Sequence, residues 1–243
     1  MYDHAAVCST HCKDAPLMQP VIQHAWGVSP DEAITIQQRL AGRVEKIDRL
    51  GPVVRVAGID VAYHKDADTL IASIVILDAQ TLEVIEQRAV AGKACFAYVP
   101  GLFSFRELPP ILELLATMQH RPDLIVCDGQ GLAHPRRLGL ASHLGVLFDI
   151  PTIGCGKTRY VGEYQAPGAA RGSQAPLVDG EEVIGAVLRT QEGIKPIFVS
   201  IGHRVCLATA CHWVLELAPH YRLPETTRQA DQFGRQFQTL ENA

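Results

Sequence analysis

The chain has 243 residues, of which 47% are hydrophobic and 20% charged, so it can bury the core of one globular domain. No apolar run approaches the roughly 18 residues that cross a bilayer, and the N-terminus lacks the pattern of an export signal. The net charge of −4 excludes a uniformly basic nucleic-acid binder but leaves room for a local basic patch. Residues 1–24 have no periodic pattern and are predicted to be a disordered tail, followed by a single domain over residues 25–243.

The domain is predicted to begin with a helix over residues 29–50. Ser29 has the position of an N-cap, Pro30 that of the first helical residue, and Glu32 completes a capping box. Apolar residues then recur at helical spacing and predict one buried face: Ile36, Leu40, Val44 and Ile47.

Three strand-like runs follow, at residues 53–64, 69–79 and 83–92, with short polar turns between them. Such short connections favour an antiparallel meander. From Phe103 onward, helical and strand patterns alternate.

The alternating part contains helices at 108–119 and 136–149 and strands at 122–128 and 150–156. A flexible loop is predicted at 165–176. Two strands, at 182–190 and 196–204, and two helices, at about 207–218 and 224–238, complete the chain. The pattern predicts an α/β fold with a mixed sheet, in which a three-stranded antiparallel meander is joined by parallel strands and covered by helices.

Two acidic residues stand where ligands collect in such folds. Asp60 lies within the first apolar strand, and Asp128 ends the strand LIVCD. Ligands bind at the carboxyl ends of strands in open α/β sheets, and two carboxylates on neighbouring strands can share a divalent metal. The structural alternative is that Asp60 marks a bulge and Asp128 opens a turn, which are common uses of aspartate.

Glu107 follows a Pro-Gly turn at the start of a helix. Its spacing from Ser104 fits a capping box, which is the structural alternative. Pro109 and Pro110 need to lie near the first helical turn, which disfavours a cap at Ser104. Glu107 is then free to point toward the end of the sheet.

Five motifs, in order between about residues 25 and 235, resemble those of the endonuclease V family of deoxyinosine 3′-endonucleases. They are GIDVAY, YVPGLFSFRE, DGQGLAHPRRLGLASHLG, PTIGCGKT and YRLPETTRQAD. The resemblance implies a ribonuclease H-like fold with a five-stranded mixed sheet and helices on both faces. It also implies a Mg²⁺-dependent DNA repair endonuclease, with Mn²⁺ as a substitute. Such an enzyme hydrolyses the second phosphodiester 3′ to a deaminated purine and leaves 3′-hydroxyl and 5′-phosphate ends.

The resemblance assigns the chemistry to matching positions. Asp60, Glu107, Asp128 and Lys157 are the expected catalytic residues, and the three acids together with Asp231 are the expected metal ligands. Without the family resemblance, the sequence would predict that Asp231 is a solvated helix residue and that Lys157 is a charged surface residue. The chain departs from many members at Cys155 and Gly156, before the lysine.

Recognition of the flipped base is assigned by the same motifs. Tyr98, Pro100 and Gly101 are expected to form a wedge that fills the gap left by the flipped nucleotide. The structural alternative for this sequence is an ordinary turn with a surface tyrosine. His134 is expected to support the pocket or the scissile phosphate, or else to cap a helix. Glycines can let the backbone approach the base closely; those expected to do so are Gly101, Gly129, Gly131, Gly139 and Gly154. Arg136 and Arg137 are expected to hold phosphates.

Two alternatives to the leading function stay open. One is another ribonuclease H-like, structure-selective nuclease, and the other is a non-catalytic inosine-binding module. DNA with deaminated bases is the expected partner, and inosine-containing RNA is a second candidate because some family members prefer it. We expect a cytoplasmic monomer that does not associate with membranes and has reduced cysteines. His143, at helical spacing, is expected in the core.

Overall fold

The computed structural model describes residues 18–63 and 68–241. Helix α1 (Pro30–Ala41) has the predicted capping box, because Ser29 and Glu32 each accept a backbone N–H of the other. The helix ends well before residue 50, and Ile47, expected on its buried face, is 54% exposed. The chain after Gly42 is held by tertiary contacts instead, since the Glu45 N–H donates to the His203 ring and its carbonyl accepts from the Arg204 N–H.

The eight strands among the described residues form one sheet, in the order β3-β2-β1-β4-β5-β8-β7-β6. The strands are β1 (Arg55–Tyr63), β2 (Thr69–Asp78), β3 (Val84–Lys93), β4 (Leu124–Cys127), β5 (Thr152–Gly156), β6 (Gln174–Asp179), β7 (Glu182–Leu188) and β8 (Ile197–His203). The first three form the predicted antiparallel meander, and β4 and β5 continue from β1 in parallel. This confirms the ribonuclease H-like mixed sheet.

The sheet is larger than the five strands that the resemblance implies. Antiparallel β8, β7 and β6 extend it beyond β5. Strand β6 begins within the segment that was predicted to be a flexible loop. The loop prediction was therefore wrong at the C-terminal end of that segment. Its Pro176 lowers the strand propensity of the segment, but proline is tolerated here because β6 is the edge strand.

The remaining helices cover both faces of the sheet, as predicted. They are α2 (Phe103–Thr117), α3 (Leu140–Phe148), α4 (Leu207–Glu216) and α5 (Glu225–Glu241). One apolar core packs α1, α2 and α3 on one face, and another packs α4 and α5 on the other. Helix α5 lies directly on β1. The backbone of its Thr226 comes so close to Gly58 that a Cβ at Gly58 would collide with it. Gly58 precedes Asp60 by two residues, so this close approach brings α5 to the strand that carries the first acid.

The folded part begins earlier than the predicted boundary at residue 24. Met18 is buried in the core, and the Val21 N–H donates to the Leu147 carbonyl at 2.7 Å. The His24 ring stacks on His143, which is buried as predicted. Residues 18–24 therefore pack against α3, and the rest of the predicted tail lies outside the described residues.

No helix among the described residues combines the length and the apolar character that crossing a membrane requires.

Candidate active site

The two strand-end acids lie side by side. Ile59 of β1 is the register partner of Cys127 of β4, and the Asp128 N–H donates to the Ile59 carbonyl at 2.9 Å. Asp60 and Asp128 follow these two residues on neighbouring parallel strands. Asp60 is 7% exposed. Its burial, with the hydrogen bond and the negative charge of Asp128, raises the pKa of Asp60.

Lys157 supplies a cation at the same place. It directly follows β5, the neighbour of β4, and its Nζ lies 2.5 Å from the Asp128 Oδ2. Partial burial lowers the pKa of Lys157, but the hydrogen bond and charge of Asp128 outweigh it, so that the net shift is upward. The lysine therefore stays charged beside the acids.

Glu107 points toward the sheet rather than capping its helix. The Tyr63 hydroxyl, at the end of β1, donates to the Glu107 Oε1 at 2.6 Å. The N-cap of α2 is Leu102, so Ser104 lies inside the helix and forms no capping box. Burial raises the pKa of Glu107 to about 7, although the Tyr63 hydrogen bond acts in the opposite direction. This arrangement favours a role for Glu107 in the active site over a role as part of a helix cap.

The fourth acid reaches the same cleft from the other face of the sheet. Asp231 lies on α5 and forms an ion pair with Arg235 one turn later, at 3.0 Å. An open cleft of about 520 Å³ is bordered by all four predicted acids and by Lys157; its lining residues include Asp60, Tyr63, Glu107, Asp128, Lys157, Asp231 and Arg235. The structure thus brings every predicted catalytic and metal-binding residue to one cleft.

The cleft has the donor set of a divalent metal site. Every candidate ligand is a carboxylate, and hard divalent cations such as Mg²⁺ prefer oxygen ligands. Burial, together with the negative charge of Asp128, raises the pKa of both Asp60 and Glu107, and a bound cation would favour their ionised forms. The residues present therefore fit a divalent ion.

A second acidic group lies at the opposite end of the strands. The ligand atoms of Glu45, Asp149 and His203 lie within 4.8 Å of one another. His203 is the register partner of Thr152, the first residue of β5, whereas Lys157 follows its last. Arg204 pairs with both acids of this group and Arg49 pairs with Glu45, so two arginines already balance the two carboxylates. The strand-end cleft is the better metal site.

A second cavity of about 320 Å³ adjoins the acidic cleft and shares Glu107, Asp128 and Lys157 with it. Its other lining residues are Gly101, Phe103, Ser104, Gly129, Gln130, His134, Gly139, Leu140, Gly156, Thr158, Arg159 and Tyr160. Four residues predicted to contact the base are among them. The shared acids mean that a base held here lies next to the candidate metal site.

Gly131 and Gly154 are absent from the described lining of this cavity, and packing accounts for them. A Cβ at Gly154 would collide with the Gly131 nitrogen, and one at Gly131 with the Ile201 carbonyl. These two glycines let the Gly129–Gly131 loop lie directly on the sheet. This packing accounts for both glycines without a ligand, and their contact with a base stays a prediction.

The predicted wedge adjoins the cavity, because its Gly101 is one of the lining residues. Tyr98 is 67% exposed, and its ring packs on the Phe103 ring at a centroid distance of 4.8 Å. Pro100 is exposed, and Gly101 has a φ of +81°, a conformation that favours glycine. The turn therefore holds an aromatic side chain in solvent beside a wall of the cavity.

His134 supports that turn. Its Nε2 donates to the Gly101 carbonyl at 3.0 Å, and its Nδ1 accepts from the Arg136 N–H at 3.2 Å. Burial lowers the pKa of His134 to about 4, so the ring is neutral near pH 7 and both nitrogens have partners. The helix-cap alternative does not apply, because α3 has Gly139 as its N-cap.

The two arginines predicted to bind phosphates have partners inside the protein. Arg136 donates to the Gly101 carbonyl at 2.7 Å and to Gln37. Arg137 pairs with Asp179 at 2.9 Å and Glu182 at 2.7 Å, and a third contact reaches a backbone carbonyl. Through these contacts both residues brace the glycine-rich loop, and their role in binding phosphate stays a prediction.

Several cavity residues were missed by sequence reasoning. Phe103 and Tyr160 supply aromatic walls, Gln130 donates from its side chain to the Thr158 carbonyl, and Tyr63 orients Glu107. Each stands within three residues of a predicted site residue, so proximity to the motifs was the available signal.

Comparison with known proteins places this site among nucleases. The Endonuclease V family profile matches residues 38–232. An Endonuclease V from Streptomyces avermitilis is 51% identical over 217 residues, which are 88% of this chain and 94% of that protein. The crystal structure of Endonuclease V from Streptomyces avermitilis has a TM-score of 0.86 and 49% identity, covering 91% of this chain and 98% of that one. Endonuclease V of Ciona intestinalis, solved with a 24mer DNA containing an inosine followed by a ribo-adenosine, has a TM-score of 0.76 and 26% identity, covering 86% and 97%.

Proposed function

The chain belongs to the endonuclease V family and is thus a repair endonuclease, and we propose that it cuts DNA beside deoxyinosine with Mg²⁺ as its metal. The proposed cut falls at the second phosphodiester 3′ to the lesion and leaves 3′-hydroxyl and 5′-phosphate ends. The observation that carries the proposal is the pair of adjoining cavities, one suited to a base and one to a metal, with Glu107, Asp128 and Lys157 in both.

Lesion recognition requires the base to leave the duplex stack. Tyr98 is exposed in the turn that adjoins the base cavity and is proposed to fill the gap that the base leaves. Phe103 and Tyr160 offer aromatic surfaces inside the cavity, and Gly101 and Gly129 keep its wall close to the backbone. A base seated there brings its own strand across the acidic cleft.

Hydrolysis is proposed to use the residues of the cleft as follows. A divalent ion held by Asp60, Glu107, Asp128 and Asp231 would supply Lewis-acid chemistry, activating water and stabilising charge on the phosphate. Lys157 holds a positive charge beside Asp128 and can neutralise the phosphate as negative charge develops on it. Tyr63 keeps Glu107 turned toward the cleft by its hydrogen bond.

We propose that the protein acts as a monomer, because a single chain brings all the predicted catalytic and metal-binding residues to one cleft. A substrate of genomic DNA also favours action inside the cell, and we propose the cytoplasm. Inosine-containing RNA is the second proposed substrate class. The Ciona intestinalis relative was solved with an inosine followed by a ribonucleotide, which supports testing it.

The test uses labelled duplexes that are identical except for one deoxyinosine, together with an RNA strand that carries inosine. Each is incubated with the protein and Mg²⁺, with Mn²⁺, and with EDTA. A single nick 3′ to deoxyinosine that EDTA abolishes is the expected result. Equal cutting of both duplexes would indicate another ribonuclease H-like nuclease, and tight inosine binding without any cutting would indicate a binding module.

A further inference from the structure

A chain of hydrogen bonds runs from the protein surface to the base cavity through two histidines. The His24 Nε2 lies 2.8 Å from the His143 Nε2, and the His143 Nδ1 lies 3.0 Å from the Ser104 Oγ. His143 is fully buried, and Ser104 is 3% exposed and lines the cavity. The rings of Trp26 and Phe105 pack around both imidazoles and fix their planes.

The outer end of this chain determines where each proton lies. The His24 Nδ1 is 2.8 Å from the Ala25 carbonyl, which can only accept, so His24 carries its proton on Nδ1. Burial lowers the pKa of both His24 and His143, so each ring is neutral near pH 7 and has one proton. The His24 Nε2 is therefore an acceptor.

The remaining protons follow in order. His143 must donate from Nε2 to His24, which leaves its Nδ1 without a proton. The Ser104 hydroxyl must then donate to the His143 Nδ1, since one of the two atoms has to supply the hydrogen. With its only proton engaged, Ser104 can offer nothing but lone pairs to a ligand in the cavity.

We propose that Ser104 is a specificity-determining residue that accepts a hydrogen bond from N1–H of hypoxanthine and disfavours adenine, with His143 and His24 as its positioning residues. Deamination of adenine turns N1 from an acceptor into a donor, so a hydroxyl that can only accept distinguishes the two bases. An adenine in the cavity would place the lone pair of its N1 against a lone pair of the Ser104 Oγ, and neither would have a hydrogen-bond donor. The inference rests on the proposed function, because it assumes that the cavity holds the lesion base.

A first experiment measures specificity. Single-turnover cutting is compared for duplexes with deoxyinosine and with deoxynebularine, a purine that lacks N1–H and has no group at C6 that could clash. Ser104→Ala should lower cutting at deoxyinosine roughly tenfold, because it removes one hydrogen bond to the base in a buried site. Cutting at deoxynebularine should stay unchanged or rise. Ser142→Ala is the matched control, since Ser142 is buried on α3 and bonds to the Ile201 carbonyl away from the cavity.

The positioning residues are tested by substituting His24, the half-buried residue at the outer end of the hydrogen-bond chain. His24→Phe keeps a ring beside Trp26 but removes the acceptor, so His143 can carry its proton on either nitrogen and the preference for deoxyinosine should fall. His24→Gln restores an acceptor near the Nε2 position and should restore the preference. A structural role alone would not produce rescue by glutamine with loss by phenylalanine.

A second measurement needs no activity. Long-range ¹H–¹⁵N correlation spectra of the wild-type protein report which nitrogen of His143 carries its proton, and Nε2 is expected. A proton on Nδ1 would overturn the proposal, because Ser104 could then donate to the cavity. Full retention of the preference by Ser104→Ala would overturn it as well. A wild-type protein that cuts neither duplex would instead contradict the proposed function, while the spectra still test the proton order.

Discussion

Glu107 is expected to destabilise the protein when no metal is bound. Burial raises its pKa from the ordinary 4.5 to about 7, so the folded state binds the proton more tightly than the unfolded chain. The free energy of unfolding should then fall as the pH rises from 4.5 to about 7, and the full cost of burying the ionised carboxylate should apply above that range. Each tenfold change in the acid constant corresponds to about 1.4 kcal/mol, so the ionised carboxylate costs roughly 3 kcal/mol.

The substitution Glu107→Gln removes this charge and keeps an oxygen that can accept from Tyr63. Urea unfolding in EDTA should show the variant more stable than wild type by roughly 3 kcal/mol at about pH 8, and by much less at about pH 4. The same variant should lose cutting, because it lacks one metal-binding acid. Glu113→Gln, on the exposed side of the same helix, is the control and should change neither quantity. A stability difference that is the same at both pH values would refute the reasoning.

Three further substitutions test separate parts of the site. Asp128→Asn should abolish cutting while leaving deoxyinosine binding in place by fluorescence anisotropy; retained cutting would remove Asp128 from the metal site. Tyr98→Ala should weaken binding to the lesion duplex by about 1–3 kcal/mol, the contribution of a base–aromatic contact, and unchanged discrimination against the undamaged duplex would exclude the wedge. Arg137→Ala should lower the free energy of unfolding but leave the salt dependence of DNA binding unchanged, because its partners are Asp179 and Glu182. A decrease of about one in the salt slope would show that Arg137 contacts a phosphate after all.

The acids could be predicted because strand ends converge by geometry. Asp60 and Asp128 each stand one residue beyond a register pair of parallel neighbours, so assigning the two strands is enough to bring the acids together. Asp231 was different. Its place depends on the close packing of α5 on Gly58, which the sequence does not reveal, and only the family resemblance pointed to it.

The roles of individual glycines and arginines could not be read in the same way. Gly101 and Gly131 look alike in sequence, yet one lines a cavity and the other lies against the Ile201 carbonyl, because each role depends on which distant segment faces the residue. Arg137 appeared free to bind phosphate because its acidic partners come from a hairpin more than forty residues away. That hairpin includes β6, whose first residues, 174–176, fell within the predicted loop.

The charges of the cleft bear on how it could hold metal before and after DNA binds. Among the residues that the structure describes, its lining has the four acids Asp60, Glu107, Asp128 and Asp231 and two cations, Lys157 and Arg235. A single divalent ion would balance the remaining negative charge when all four acids are ionised. A second ion would leave the cleft with an excess of two positive charges, and a phosphodiester group of the substrate would neutralise one of them. Charge alone therefore favours one ion in the free protein and makes a second ion less costly when the DNA strand is bound.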